Sequence, residues 1–266
     1  MINYFGFPFI FPLMLFFLPF FSFAADSAPV YRIHGNNIES YLEICKEAGC
    51  NKYKLPDTNN KDFYVEEPVF TLHDLDGDGV PEIVATDRNF NGAVNVRSVL
   101  YRINSMGRFE YIRNNHNGNY MYNVTFAKGK IISSFRDAGS WYDEIYSYAN
   151  GKFYIELRDK NEVERTVFDE NGKELDTFLL KEGSGKKWFE REMLSAQIKP
   201  PKAVLYNSPN FEDASKMYLV KGDIVILKNY HLAENNEVDF YLVEYVTAKN
   251  KKIIKWVKEE ELSINQ

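Results

Sequence analysis

The sequence predicts a mainly β protein built around an antiparallel meander. Between Val69 and Leu180, short runs of β-branched and aromatic residues recur and are separated by turn signals. Two of these turns are the dipeptides Asn150-Gly151 and Asn171-Gly172, which favour two-residue hairpins. About ten short strands in succession predict a sheet that is propeller-like or barrel-like.

The chain begins with a strongly apolar stretch, Met1–Ala24, that contains no Asp, Glu, Lys or Arg. Small residues stand at Ser22 and Ala24, just before Ala25, as they do at signal cleavage sites. The stretch therefore predicts a secretory signal peptide and export to the periplasm. Because it lacks the usual basic residues at its start, retention as a membrane anchor is the alternative. No later apolar run approaches the ~20 residues of a membrane span, so we expect no span after cleavage.

The composition bounds the possible partners. The chain has 266 residues and a formal net charge of -6, enough length for one large domain or two small ones. A nucleic-acid-binding protein would need a basic patch, so we expect no nucleic-acid partner.

Residues 25–62 form an N-terminal segment that holds the only two cysteines, Cys45 and Cys50. In an oxidising compartment, two cysteines so close together predict one local disulfide. Zinc is the alternative, but these two soft ligands have no histidine nearby.

A short helix is expected in the same segment. Four positions have the spacing of one helical face: Ile38, Tyr41, Leu42 and Cys45. Asn37 can cap the start of this helix, and Gly49 can end it. The disulfide would then lie at the C-terminal end of the helix.

The stretch Asp74–Glu82 places carboxylates at alternate positions and then a fourth at its end. Calcium takes six to eight oxygen ligands, and Gly79 permits the turn that brings later ligands to the same ion. The first half matches the EF-hand consensus, but Glu82 comes too early and a strand-like run follows it. We therefore predict a calcium loop that ends in a strand, with these ligands: Asp74, Asp76, Asp78, the Val80 carbonyl and Glu82. The alternative is an acidic β-turn without metal, in which the uncompensated charges would repel one another.

The calcium loop belongs to a β-domain at residues 63–180. Turn signals bound the strand-like runs that follow the loop: 98–103, 109–112, 120–126, 130–135, 144–148, 152–157, 163–168 and 174–180. Residues 181–199 are predicted to be a linker, since Gly183-Ser184-Gly185 is flexible. A short helix at 186–196 is expected within it.

The last unit, residues 200–266, has strand and turn motifs in a recognisable order. They are Leu205-Tyr206 with Pro209, Val220-Lys221-Gly222-Asp223, the strand Phe240–Val246, Trp256-Val257 and Leu262. This order resembles the bacterial SH3-like domain, which implies a small barrel. One departure is Lys255, where the pattern usually has glycine.

The β-domain also resembles a known family over residues 65–160. The features are the Asp74–Glu82 loop, the Asn89–Asn95 loop with Gly92, the Tyr101–Phe109 hairpin, and a Lys128–Ser134 strand followed by Gly139-Ser140-Trp141-Tyr142. Together they resemble the calcium-binding, propeller-like periplasmic family that includes inhibitors of lysozyme-type muramidases. Some members of that family are immunity proteins against type VI secretion effectors.

The resemblance implies a partner-binding loop, because in such inhibitors a protruding loop enters the muramidase cleft. The matching residues are Arg136, Gly139, Ser140, Trp141 and Tyr142, with Asp137 and Ala138 between them. A muramidase cleft carries two carboxylates, to which hydroxyl groups can donate and Arg136 can pair. Trp141 can stack in a sugar subsite. The alternative is an ordinary hairpin loop with a half-buried Trp.

No catalytic motif appears, and the four histidines fall at unrelated positions. We therefore expect a non-enzymatic periplasmic protein that binds and inhibits a secreted or periplasmic peptidoglycan-degrading enzyme, of muramidase or amidase type. It could be an immunity protein. The second hypothesis is a cell-wall-binding protein whose SH3-like unit holds peptidoglycan. The third is a hydrolase whose catalytic residues are distant in the sequence and come together only in the folded chain.

Overall fold

The structure, a computed structural model, describes residues 28–35, 40–58, 65–88, 94–104, 107–112, 120–149, 152–183 and 186–265. The strands within these ranges pair antiparallel in four sheets, so the prediction of a mainly β, antiparallel fold is confirmed. The predicted signal peptide lies outside the described residues. No helix in the described ranges is long and apolar enough to cross a membrane.

The N-terminal sheet has three strands, β1 (Val30–His34), β2 (Tyr41–Lys46) and β3 (Gly49–Lys54), with β2 in the middle. The expected short helix is therefore wrong, because three of the four residues that carry its pattern, Tyr41, Leu42 and Cys45, lie in β2. Ile38 lies outside the described residues. A short apolar run can satisfy both a helical and an alternating pattern. Here pairing with strands on both sides, together with the full burial of Leu42, decides for the strand.

The predicted disulfide between Cys45 and Cys50 is confirmed. The two residues face each other across β2 and β3, and their Cα atoms are 4.0 Å apart. The bridge therefore ties adjacent strands together instead of closing a helix. Glu43 lies close to both sulfur atoms, but disulfide-bonded sulfurs are not thiolate ligands for zinc.

Removing this cross-link should destabilise the protein modestly. Replacing Cys45 and Cys50 together with alanine is expected to lower the free energy of unfolding by roughly 2 kcal/mol, because the bridge closes only a short loop of the unfolded chain. Urea denaturation of the two proteins measures the difference. Two free thiols in denatured, exported wild-type protein would contradict the pairing.

The central sheet follows. It contains β4 (Pro68–His73), β5 (Glu82–Asp87), β6 (Arg97–Ile103), β7 (Phe109–Tyr111) and β8 (Met121–Tyr122). The first three pair in chain order, and β7 and β8 both pair with β6. All residues of β5 except Thr86 are buried, because this strand has a further layer on each face.

The six-stranded sheet is a meander in chain order. It contains β9 (Thr125–Ala127), β10 (Lys130–Asp137), β11 (Ser140–Ala149), β12 (Lys152–Lys160), β13 (Glu164–Phe168) and β14 (Glu174–Leu179). Most of these strands correspond to the expected runs with small differences at their ends. β11 begins four residues before the expected run 144–148, so Ser140, Trp141 and Tyr142, which were expected in a loop, lie in a paired strand. The expected run 120–126 is divided at Asn123, whose left-handed φ of 44° turns the chain from the central sheet into this one.

The N-terminal, central and six-stranded sheets are stacked, with the central sheet in the middle. Ile83 of β5 packs in a core with Leu42 of the N-terminal sheet. Its neighbour Val84 packs in a second core with Ile131 of the six-stranded sheet. Because successive residues of a strand point to opposite faces, one buried strand serves both cores.

The C-terminal sheet has seven strands. They are β15 (Ser195–Ile198), β16 (Lys202–Tyr206), β17 (Ala214–Val220), β18 (Ile224–Leu232), β19 (Val238–Val246), β20 (Lys252–Lys258) and β21 (Leu262–Asn265). Their order is β17-β16-β20-β19-β18-β15-β21, and the described strands do not close into a barrel. Leu205, Leu227 and Val257 are among its fully buried core residues.

The expected helix at 186–196 is wrong except for one 3-10 turn, Trp188–Glu190. The rest of this segment is extended. Met193 forms a β-bridge with Leu180, and β15 pairs with both β18 and β21. The bridge to Leu180 and the pairing within the C-terminal sheet supply the backbone hydrogen bonds that a helix would otherwise have made internally. A second 3-10 turn, Glu259–Glu261, precedes β21.

Candidate functional site

The acidic loop connects β4 to β5 in the central sheet. His73 and Glu82 pair across its base, so the loop itself runs from Asp74 to Pro81. Leu75 is buried in the core between the central and six-stranded sheets. This apolar anchor holds the loop against the domain, while Asp74 and Asp78 stay at the surface and the Asp76 side chain is almost completely buried.

Three of the predicted ligands come together. One carboxylate oxygen each of Asp74, Asp76 and Asp78 lies within 4.8 Å of the other two. Oxygens that share one calcium ion at 2.3–2.6 Å are separated by no more than about 5 Å, so this donor set fits the ion. The arrangement is held by backbone amides: Gly77 donates to Asp74 at 2.8 Å, and Val80 donates to Asp78 at 2.7 Å.

Glu82 lies apart from the three aspartates and points between the sheets. One of its oxygens accepts from the Leu75 amide at 2.9 Å, and the other accepts from Arg102 at 3.1 Å. Burial raises the pKa of the Glu82 carboxyl, and these hydrogen bonds offset the effect only in part. Ligation by Glu82 and by the Val80 carbonyl stays a prediction.

Arg102 is the residue at this site that sequence reasoning missed. Its guanidinium also contacts Asp76 at 2.5 Å and the hydroxyl of Tyr148 at 2.7 Å. β5 and β6 pair with Val84 opposite Leu100, so Glu82 and Arg102 lie next to each other on one face. The strand pattern would have identified this arginine only if the pairing register had been known.

The predicted partner-binding residues form the tip of the β10–β11 hairpin. Ala138 and Gly139 make a tight turn with positive φ values, and Arg136 lies directly opposite Trp141. Trp141 is 47% exposed, whereas Tyr142 points to the other face and stacks on Phe135 at 5.3 Å. The structure therefore separates the predicted residues: Arg136 and Trp141 share one face, and Tyr142 is partly used in packing.

Two asparagines hold the backbone of this tip, one at each edge. Asn95 accepts from the Arg136 amide at 2.8 Å and donates to its carbonyl at 2.9 Å. On the other edge, the Trp141 amide donates to the Asn161 side chain at 2.8 Å, and the Asn161 amide donates to the Trp141 carbonyl at 2.8 Å. The tip is therefore fixed in place by long-range contacts instead of protruding as a free loop.

An ionic network lies beside the tip and fastens the 186–191 segment to the six-stranded sheet. Arg191 contacts Asp143 at 2.8 Å, Asp159 at 2.7 Å and Glu162 at 3.2 Å. Arg165 binds both oxygens of Asp159 at 2.6 Å. The side chains of Arg191 and Asp159 are almost completely buried, so this network is intramolecular and leaves little of its charge for a ligand.

The structure also brings a serine, a lysine and a carboxylate together on neighbouring strands. Lys130 donates to Ser147 and, at 2.6 Å, to Glu156, and Ser147 also donates to Glu156. Burial acts to raise the pKa of Glu156, but the hydrogen bonds from Lys130 and Ser147 outweigh it and the pKa is lowered. A low-pKa carboxylate paired with an ammonium group is a weak general base, so we interpret this trio as an ion pair within the sheet.

Comparison with known proteins adds no relative. No model of a protein family matches the chain, and no curated protein is significantly similar to it.

Proposed function

We propose that this chain is an exported, non-enzymatic calcium-binding protein that binds and inhibits a peptidoglycan-degrading enzyme of muramidase or amidase type. Action as an immunity protein against a type VI secretion effector is one form of this function. The resemblance of residues 65–160 to periplasmic muramidase inhibitors suggests the partner class. We further propose that the stacked sheets are a propeller-like arrangement and that the C-terminal unit is SH3-like.

The observation that carries the proposal is the preorganised hairpin tip. Trp141 and Arg136 stand side by side, both exposed, on a backbone that Asn95 and Asn161 fix from opposite edges. Interfaces concentrate binding energy in aromatic and arginine residues, and a rigid tip loses little conformational freedom on binding. An exposed indole can stack on a sugar-binding surface, while the guanidinium can pair with a cleft carboxylate.

Calcium would have a structural role in this function. Asp74, Asp76 and Asp78 would hold the ion, with Glu82 and the Val80 carbonyl as the further predicted ligands. Because the loop connects two strands of the central sheet, a bound ion would hold β4 and β5 together at one end. The ion would neutralise the carboxylate charges of the loop and would take no part in a reaction.

Replacing Trp141 with alanine should weaken binding to the target by about 2 kcal/mol, or roughly thirtyfold in Kd. The side chain is exposed, so the fold and the calcium response should not change. The measurement is inhibition in a turbidity assay with a panel of muramidases and amidases, including any encoded beside this gene, followed by titration calorimetry with the inhibited enzyme.

Tyr218→Ala is the matched control, since Tyr218 is an equally exposed aromatic residue on the C-terminal sheet. It should inhibit as the wild type does. If the Trp141→Ala variant inhibits the enzyme as strongly as the wild type does, the hairpin tip is not the contact surface. Absence of inhibition against the entire panel would count against the inhibitor function itself.

A groove on the C-terminal unit supports the second candidate, binding of peptidoglycan. The groove has a volume of about 260 Å³ and is lined by Phe211, Val238, Asp239, Lys258, Glu259 and Glu260. Phe211 is largely exposed, and the Lys258 ammonium lies 5.0 Å from its ring centroid. An aromatic ring beside charges of both signs suits a peptide stem. Loss of peptidoglycan retention by Phe211→Ala, with retention by Trp141→Ala, would favour this candidate.

A further inference from the structure

Arg102 is a partly buried cation, with its side chain 27% exposed, placed between two carboxylates of the proposed calcium loop. It contacts Asp76 at 2.5 Å and Glu82 at 3.1 Å. Both carboxylate side chains are almost completely buried, at 2% and 1% exposure, so solvent screens these contacts weakly. Glu82 is thereby kept away from the three clustered aspartates.

The loop therefore already has a partial substitute for a metal ion. Four carboxylates crowd into nine residues, Asp74–Glu82, and Arg102 offsets part of their mutual repulsion. A divalent cation that binds the three aspartates and Glu82 has to share the carboxylates of Asp76 and Glu82 with this guanidinium or displace it from them. Like charges at such distances repel strongly in a protein interior.

We propose that Arg102 is an internal competitor of calcium: it holds Asp76 and Glu82 when the ion is absent, and its charge sets the affinity of the loop. This inference rests on the proposed binding of calcium. It accounts for the position of Glu82, a predicted ligand whose carboxylate lies outside the cluster of aspartates.

Tyr148 gives Arg102 an alternative partner when the carboxylates turn to the ion. Its hydroxyl accepts from the guanidinium at 2.7 Å, and its ring centroid lies 4.8 Å from the guanidinium carbon. Tyr148 belongs to β11 of the six-stranded sheet, whereas the loop belongs to the central sheet. Calcium would thus leave the partly exposed guanidinium of Arg102 hydrogen-bonded to the neutral Tyr148 hydroxyl and open to water.

Arg102→Gln should bind calcium at least about tenfold more tightly than the wild type, because a positive charge next to the site is removed. The metal-free variant should also melt at a lower temperature, since Asp76 and Glu82 lose their partner. Titration calorimetry with calcium chloride measures the affinity, and thermal unfolding in EGTA measures the stability.

Arg158→Gln is the matched control. Arg158 pairs with the buried carboxylate of Glu144 at 2.7 Å, and both pairs have similar exposure. This variant should lose stability while its calcium affinity stays at the wild-type value. Tighter binding in both variants would show a general effect of lost positive charge and would overturn the proposal.

A measurement on the wild type makes the test independent of variant folding. During a calcium titration, the Arg102 Nε–H resonance should shift as Asp76 and Glu82 are withdrawn, and the Arg158 resonance should not. An Arg102 resonance that stays fixed while calcium binds overturns the competition alone. If the wild type binds no calcium, the proposed metal site fails together with this inference.

Discussion

Replacing Arg191 with methionine is expected to lower the free energy of unfolding by about 3–5 kcal/mol. Arg191 is the shared partner of Asp143, Asp159 and Glu162, and it joins the 186–191 segment to the six-stranded sheet. Methionine fills a similar volume but leaves the buried Asp159 with Arg165 as its remaining ion-pair partner among the described contacts. Three carboxylates then lose the cation that they share, and such a loss inside a buried network costs far more than the loss of an exposed pair.

Urea denaturation followed by tryptophan fluorescence measures the change, because Trp188 lies in the fastened segment. Lys181→Met is the matched control. Its ion pair with Glu192 joins the same stretch of chain but has a largely exposed carboxylate, so the effect should be small. Equal midpoints for the two variants would contradict a stabilising role of the buried network.

Withdrawing calcium is expected to give the second large effect. With free calcium at about 100 times the dissociation constant, binding should stabilise the folded protein by ~2.7 kcal/mol. The ion would be held by Asp74, Asp76 and Asp78, whose clustered charges repel one another without it. Thermal unfolding in millimolar calcium and in EGTA should therefore give clearly different midpoints.

Asp74→Asn should remove most of this difference, because the amide keeps an oxygen for the Gly77 backbone but lacks the charge. Asp169→Asn is the control, since Asp169 accepts backbone hydrogen bonds in a turn outside the cluster. Its response to calcium should match the wild type. Identical melting of the wild type in calcium and EGTA would refute the metal assignment.

Local patterns in the sequence were enough to predict that the β-domain consists of short strands joined by turns. Alternating apolar residues and turn dipeptides predict where strands begin and end, because strand periodicity and turn conformation depend on neighbouring residues. The Asn171-Gly172 dipeptide lies in the turn between β13 and β14, where Gly172 has a left-handed φ of 81°. The turn is longer than the expected two residues, because the Asp169 amide donates to the Lys173 carbonyl and the Gly172 amide donates to the Asp169 carbonyl. The close spacing of Cys45 and Cys50 likewise predicted their pairing.

Only the tertiary structure decided features that depend on distant partners. Tyr41, Leu42 and Cys45, which were expected on an N-terminal helix, lie in β2, since pairing with β1 and β3 outweighs a short helical pattern. The asparagines that fix Trp141 and Arg136 come from distant positions, Asn161 and Asn95.

The partners of the buried carboxylates were likewise decided only by the tertiary structure. Arg102 reaches Glu82 because β5 and β6 pair in one register, and Arg191 reaches Asp159 because the 186–191 segment lies against the six-stranded sheet. A sequence shows which residues carry charge, but burial and pairing depend on which strands become neighbours. Long-range pairing and desolvation therefore determine which charged residues support the proposed site and which stabilise the fold.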